Sequence, residues 1–313
     1  MAENTIVIGQ GPESQPEVDV SKIVAINRQS FGEKLRAYSK KPVSMIGMLL
    51  VMLAALITAA VVLWILIYTL VQGLPSLKAG MFSWTWTDEN FSFIPALINT
   101  LIIAGLSLLI AVPIGVFAAI FMSEYAKSTN IFVKIVRMAA ETLSGIPSIV
   151  YGIFGNIFFV TVLGWGYSMI AGVLTMSIMI LPLIMRTTEE ALLAVPDSFR
   201  EGSYALGAGK LRTIFVIILP SAMSGIISGI ILGLGRVVGE TAALIYTAGA
   251  PVNAANASGL GQPGCTLTVY LYTMMNEGMH VHEAWATAVV LIVLVVIING
   301  AAEFVGNKLK KEY

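Results

Sequence analysis

The stretch Gly225-Ile-Ile-Ser-Gly229-Ile-Ile-Leu-Gly233-Leu-Gly235-Arg236-Val-Val-Gly239-Glu240-Thr241 decides the fold class. It sits in an apolar run from near Ile214 to about Tyr246, longer than the ~20 residues a helix needs to cross a ~30 Å hydrocarbon core. Gly225, Gly229 and Gly233 lie four apart, as do Gly235 and Gly239. That spacing lines small residues along one face and lets a second helix backbone approach. Arg236 and Glu240 are also four apart, so one helix face is expected to carry both. Arg236 follows Pro220 by sixteen residues, about 24 Å at the helical rise. A span starting at Pro220 therefore puts it at or beyond the midplane, where an arginine costs ~2.5–3.5 kcal/mol. Two readings stand: an ion pair that ties helices together, or a guanidinium fork that offers an oxyanion a positive site. In the second, Glu240 weakens the hold enough for release.

Outward from that span the chain keeps the same character. Hydrophobic residues make up 57% of its 313 residues and charged residues 12%, against ordinary values of ~45–50% and ~25%. Further apolar runs cover about 45–71, 93–122, 139–162, 169–185 and 284–305, which with 214–246 makes six spans. Long continuous runs without a period of two exclude a β-barrel. Of 18 basic residues, sixteen flank spans on one side: six in the tail 1–43, Lys127, Lys134 and Arg137, then Arg186, Arg200, Lys210 and Arg212, then Lys308, Lys310 and Lys311. Basic flanks stay inside, so both termini are expected in the cytoplasm, with a membrane domain at 44–306 and a tail at 307–313. Balanced charge gives no nucleic-acid signal, and the single Cys265 excludes an intrachain disulfide framework. No apolar core near the start suggests a cleavable signal.

The connections differ. The first external loop holds Phe82, Trp84, Trp86, Phe91 and Phe93, which read as an interfacial belt. Spans three and four are joined by a few residues around Gly164-Trp165-Gly166, and about 247–283 reads as an external loop. Pro113, Pro147 and Pro182 are expected to bend their spans. The segment 189–213 reads as a short helix, a turn at Gly207 and Gly209, and a second short helix on the cytoplasmic face, with Asp197 or Ser198 as cap. Pro220 suits the first turn of the next span.

From that segment into the next span, Glu201, Gly202-Ser203, Gly207 and, after nine intervening residues, Ile217-Ile-Leu219-Pro220 are spaced as in the EAA loop of bacterial ABC-importer permeases, and the chain resembles that family. Gly202-Ser203 stands where the family usually has Ala-Ala. The resemblance implies the type I importer permease fold, all-α with six spans. It also implies that Glu201, Gly202, Ser203, Gly207, Leu219 and Pro220 couple the membrane domain to a separate ATPase. The chain has no phosphate-binding loop of its own: Gly207-Ala-Gly-Lys210 is followed by Leu211, and Tyr204 stands where the first glycine belongs. No cofactor is therefore expected on this chain, and ATP is used by the partner.

Gly235-Arg236-Val-Val-Gly239-Glu240-Thr241-Ala242, with Leu143-Ser-Gly-Ile-Pro147-Ser148-Ile-Val-Tyr-Gly152 and Arg186-Thr187-Thr188-Glu189, resembles phosphate-importer permeases. The continuation Thr241-Ala-Ala-Leu244 is PstA-like rather than PstC-like. The resemblance implies an ATPase dimer, a second PstC-like permease, a periplasmic or tethered phosphate-binding protein and a bacterial or archaeal inner membrane. It marks Arg186, Arg236 and Glu240 as the charged pathway positions, although Arg186 also reads as a positive-inside anchor. Molybdate or sulfate transport, or a scaffold or sensor that binds the ATPase without transporting, are the competing functions. His280 and His282 read as packing residues, and Asn256-Ala-Ser258 matches a glycosylation sequon.

Overall fold

The computed structural model describes residues 42–126, 130–250, 256, 259–278 and 280–309. Residues 1–41 of the expected N-terminal tail and 310–313 of the C-terminal tail lie outside them. The chain divides into two units, residues 1–66 and 67–313. The described part of the first belongs to α1 (Pro42–Gly73), which continues into the second. Between Pro42 and Leu66 it has no charged residue, and Leu50, Leu53, Leu56, Ile57 and Trp64 are all exposed. A helix apolar on every side is at home in hydrocarbon, not water.

The second unit is helical throughout its described residues apart from turns and loops. After α1 come α2 (Ile94–Ile120), α3 (Ile131–Ser144), α4 (Ser148–Gly155), α5 (Met169–Leu193), α6 (Asp197–Ala205), α7 (Lys210–Thr213), α8 (Leu219–Val238), α9 (Ala242–Thr247), α10 (Leu267–Glu277) and α11 (Val281–Leu309). Wider π turns extend α2 over Phe121–Tyr125 and α4 over Asn156–Val162, and join α7 to α8 over Ile214–Ile218. The last of these precedes Pro220, which has no N–H for the carbonyl one turn back. A local widening is how a helix absorbs that loss.

Among the described residues, five runs are long and apolar enough to cross a membrane: Val43–Ser76, Ile94–Tyr125, Met169–Leu193, Lys210–Val238 and Val281–Phe304. The sixth expected span, 139–162, is broken. Its residues divide between α3 and α4, which meet at 101° across Gly145-Ile-Pro147. Pro147 forces its predecessor out of the helical region, so the chain turns there. Pro113 and Pro182, by contrast, lie within unbroken helices. The expected span 214–246 also ends early, because α8 stops at Val238 and α9 starts afresh at Ala242.

The reading of 247–283 as loop is corrected by α10, whose Leu267, Val269, Tyr270 and Met274 are fully buried. Its apolar run is too short to stand out from turn residues. Tyr270 Oη donates to Phe91 O (2.9 Å) and accepts from Trp86 Nε1 (3.2 Å). The aromatic belt is divided accordingly: Phe82 and Trp84 are exposed, whereas Phe93 is core. His280 packs on Phe91, ring centroids 4.2 Å apart. Asn256 uses both ends of its amide on the Trp86 backbone, at 2.8 and 2.9 Å.

α5 is the central helix, packed between α2 and α8. Ser107 and Ser177 bond across the α2–α5 seam, Ser107 Oγ to Val173 O at 3.1 Å and Ser177 Oγ to Ser107 O at 3.3 Å. The α5–α8 seam uses the glycine stripe. A Cβ on Gly225 would lie 2.6 Å from Ala191 Cβ, and one on Gly229 2.7 Å from Thr187 Cβ. One buried cluster, including Ile103, Met176, Ile180, Val237 and Leu244, fills the body. A second, including Met122, Val133, Leu192, Ile214 and Ile218, lies under α6 and α7.

Candidate functional site

Arg236 occupies the last turn of α8, where the carbonyl end of the helix favours a cation by ~0.3–1 kcal/mol. It is half-buried and lines a cavity of about 510 Å³ with Leu183, Ser228, Leu232, Gly235 and Asn299. Among the described residues it has no carboxylate within 4.0 Å and no hydrogen bond. Gly235 leaves space open on its side, with no heavy atom within 4 Å of where a Cβ would be.

Glu240 does not share its face. Gly239 caps α8, so the i, i+4 geometry expected from the sequence is lost at the break. Glu240 is only 9% exposed and is turned to the next helix, its Oε1 accepting the Ala243 N–H (3.1 Å) and so stabilising the start of α9. Its carbonyl accepts from Thr268 Oγ1 at 2.7 Å, which fixes the break against α10. Arg236 and Glu240 are thus neighbours in sequence without being an ion pair.

Arg186 lies apart from that cavity. Its side chain is 52% exposed, with Nε 2.9 Å from Glu190 Oε1 and Nη1 3.9 Å from Glu141 Oε1. Next to it Arg137 of α3 reaches Glu189 of α5 at 2.6 Å. These five charges line a separate cavity of about 300 Å³ between α3 and α5. With three carboxylates against two guanidinium groups, it does not attract an anion as it stands. Leu183, three residues before Arg186 on α5, lines the Arg236 cavity, and the two cavities share no lining residue.

The coupling segment forms as a helix, a turn and a short helix. Pro196, rather than Asp197 or Ser198, is the cap of α6, and Asp197 instead meets Arg200 Nη1 at 3.1 Å. Gly207 turns the chain with φ +82°, a region that costs other residues a steric clash. Glu201 and Gly202 are exposed on α6, while Ser203 is buried with its Oγ 2.8 Å from Thr213 Oγ1. The Ser203 that departs from the usual alanine thereby clamps α6 to α7. Leu219 and Pro220 open α8. Leu206 is 91% exposed, and Tyr204 and Leu211 also stand out from the surface.

Arg200 is the residue sequence reading undervalued. It bonds Glu124 at the end of α2 through Nη2 (2.7 Å) and Nε (3.1 Å), and also Leu192 O and Val195 O. The Glu124 carboxylate holds its pKa above the ordinary arginine value. Lys210 lies 4.6 Å above the Tyr125 ring, a second tie to the same end of α2. Nothing in the spacing of residues 124 and 200 signals this contact.

The family model of the binding-protein-dependent transport system inner membrane component matches residues 111–311. Among curated relatives, the probable ABC transporter permease protein YqgI of Bacillus subtilis is 34% identical, covering 83% of this chain and 94% of that one. The phosphate transport system permease protein PstA of Haemophilus influenzae is 30% identical, over 85% and 95%. PstA 1 of Mycobacterium tuberculosis is 36% identical, over 67% and 69%. Two solved structures share the fold. An inward-facing MetNI methionine ABC transporter has a TM-score of 0.55 at 20% identity, covering 69% of this chain and 94% of that one. A bacterial ABC transporter involved in alginate import has 0.58 at 17%, covering 83% and 96%. The chain is a multi-pass membrane permease and belongs to the family of binding-protein-dependent transport system inner membrane components.

Proposed function

We propose that this chain is the PstA-like permease subunit of an ATP-driven importer of inorganic phosphate, and that it forms half of the translocation pathway. The observation that carries the reading is Arg236. It is a guanidinium in a membrane helix, open to a cavity and without a carboxylate partner among the described residues. Such a group is costly against lipid and favourable opposite a tetrahedral oxyanion. Relatives named as phosphate permeases support phosphate as that anion. Arg186 and Glu240 act around it, Arg186 through its pairs on the α3 side and Glu240 by holding the α8–α9 break.

Both termini face the cytoplasm, a reading that the basic flanks support. A second, PstC-like permease supplies the other half of the path, and a phosphate-binding protein delivers the cargo from outside. The reading calls for no cofactor on this chain. ATP is hydrolysed by an ATPase dimer docked on Glu201–Pro220, whose exposed Tyr204, Leu206 and Leu211 offer an apolar contact. Closure of that dimer moves α6 and α7, and with them α8 and α2, which alternates access to the Arg236 cavity.

The test is uptake of labelled phosphate by the assembled transporter in proteoliposomes, with unlabelled phosphate, molybdate or sulfate as competitor. Phosphate alone competing at low concentration is the expected result. Competition led by molybdate or sulfate replaces the substrate, and absence of any ATP-dependent uptake leaves the scaffold reading in its place.

A further inference from the structure

The cavity at Arg236 continues along the seam between α8 and α11. A second cavity, about 370 Å³, is lined by Ser224, Ser228, Asn299, Glu303 and Gly306, and Ser228 and Asn299 line both. The two therefore abut. They follow α8 from its Arg236 end toward its coupling end, about 18 Å between Arg236 and Ser224 at the helical rise. Gly306 permits the approach of the two helices: a Cβ there would lie 2.7 Å from Ile227 Cγ2.

Asn299 and Glu303 are one turn apart on a helix that is otherwise apolar over most of its length. Both are exposed, and neither has a hydrogen bond or ion pair among the described residues. An amide and a carboxylate on one face of a span are expensive against acyl chains. This face therefore meets water or protein in the assembled transporter, and it is continuous with the guanidinium.

We infer that α11 forms a second wall of the anion path. The Asn299 amide donates to the oxyanion that Arg236 attracts, and Glu303, one turn nearer the coupling end, repels it onward. The inference rests on the phosphate-transport reading of Arg236.

The test uses the complete transporter, both permeases, ATPase and binding protein, in proteoliposomes. Asn299→Leu is expected to raise the phosphate concentration for half-maximal uptake about tenfold, the effect of one unmade buried hydrogen bond. Asn299→Asp should lose more, because a carboxylate beside Arg236 competes with the anion. Glu303→Gln should lower the maximal rate without raising half-saturation. Cys265 is buried, so Asn299→Cys can be read with an anionic methanethiosulfonate reagent, and phosphate should slow its modification. The inference is overturned if Asn299→Leu and Asn299→Asp keep wild-type uptake while Arg236→Gln abolishes it, or if Asn299→Cys reacts at a rate indifferent to phosphate. Unchanged uptake in Arg236→Gln would remove the underlying phosphate reading instead.

Discussion

Arg200 and Glu124 join the coupling segment to the end of α2 through a salt bridge of 2.7 Å whose side chains are only 16% and 5% exposed. The guanidinium also holds the Leu192 carbonyl in the last turn of α5 and the Val195 carbonyl just beyond it. Three elements thus meet on one side chain. A buried pair of this kind costs about 3–5 kcal/mol when one partner is removed. Arg200→Ala should therefore lower the unfolding temperature and release ATP hydrolysis from uptake in the assembled transporter. Arg200→Lys should not restore coupling, because one ammonium cannot reach the same set of acceptors in the plane of a fork. The ratio of phosphate transported to ATP hydrolysed measures it, and a wild-type ratio in both variants would refute the role.

The exposed apolar tip of the same segment leads to a different outcome. Leu206 is 91% exposed, so Leu206→Glu should leave stability within about 0.5 kcal/mol. It should nevertheless reduce recovery of the ATPase on affinity purification of the permease. Glu201→Lys, also on the exposed face of α6, should do the same. Retained ATPase in both would place the docking surface elsewhere.

Much of this was legible in the sequence, in proportion to how local the cause was. The spans follow from runs of apolar residues, and the Gly225–Gly233 stripe does pack against α5, because spacing along one helix is a local property. The turn at Gly207 needed only the residue type. The shared face of Arg236 and Glu240 failed for a reason the run of valines and glycines concealed: the helix stops at Gly239, and periodicity says nothing once it has stopped. α10 was hidden because buried Leu267, Val269 and Tyr270 occupy a run too short for a span. Arg200–Glu124 and the Asn299 cavity join positions far apart in the chain, and one polar residue in an apolar run has no period to reveal it. The available signal was the pair Asn299 and Glu303 at helical spacing within a span.

Close packing at the glycine stripe supplies a stability test. Gly229→Val would drive its Cβ into Thr187 of α5, and overpacking of this kind costs about 1–3 kcal/mol. A lower unfolding temperature is expected by scanning fluorimetry in detergent. Gly235→Ala, where nothing lies within 4 Å, should leave the unfolding temperature unchanged. Equal effects of the two would contradict the assignment of the packed and open faces of α8.

The charges between α3 and α5 should separate in the same assay. Arg137 neutralises Glu189, which is 10% exposed, so Arg137→Ala strands a largely buried carboxylate and should destabilise by several times the effect of Arg186→Ala. Arg186 and Glu190 are more than half exposed, and such pairs are worth about 0–1 kcal/mol. Arg186→Ala that unfolds the permease would show that the surface pair is structural.

The most direct measurement is uptake of labelled phosphate by transporter carrying Arg236→Gln, made alongside co-purification of the ATPase and second permease. A guanidinium that receives the anion should leave assembly intact while uptake falls to background. Assembly intact with uptake undiminished would show that the charge of Arg236 has no part in transport.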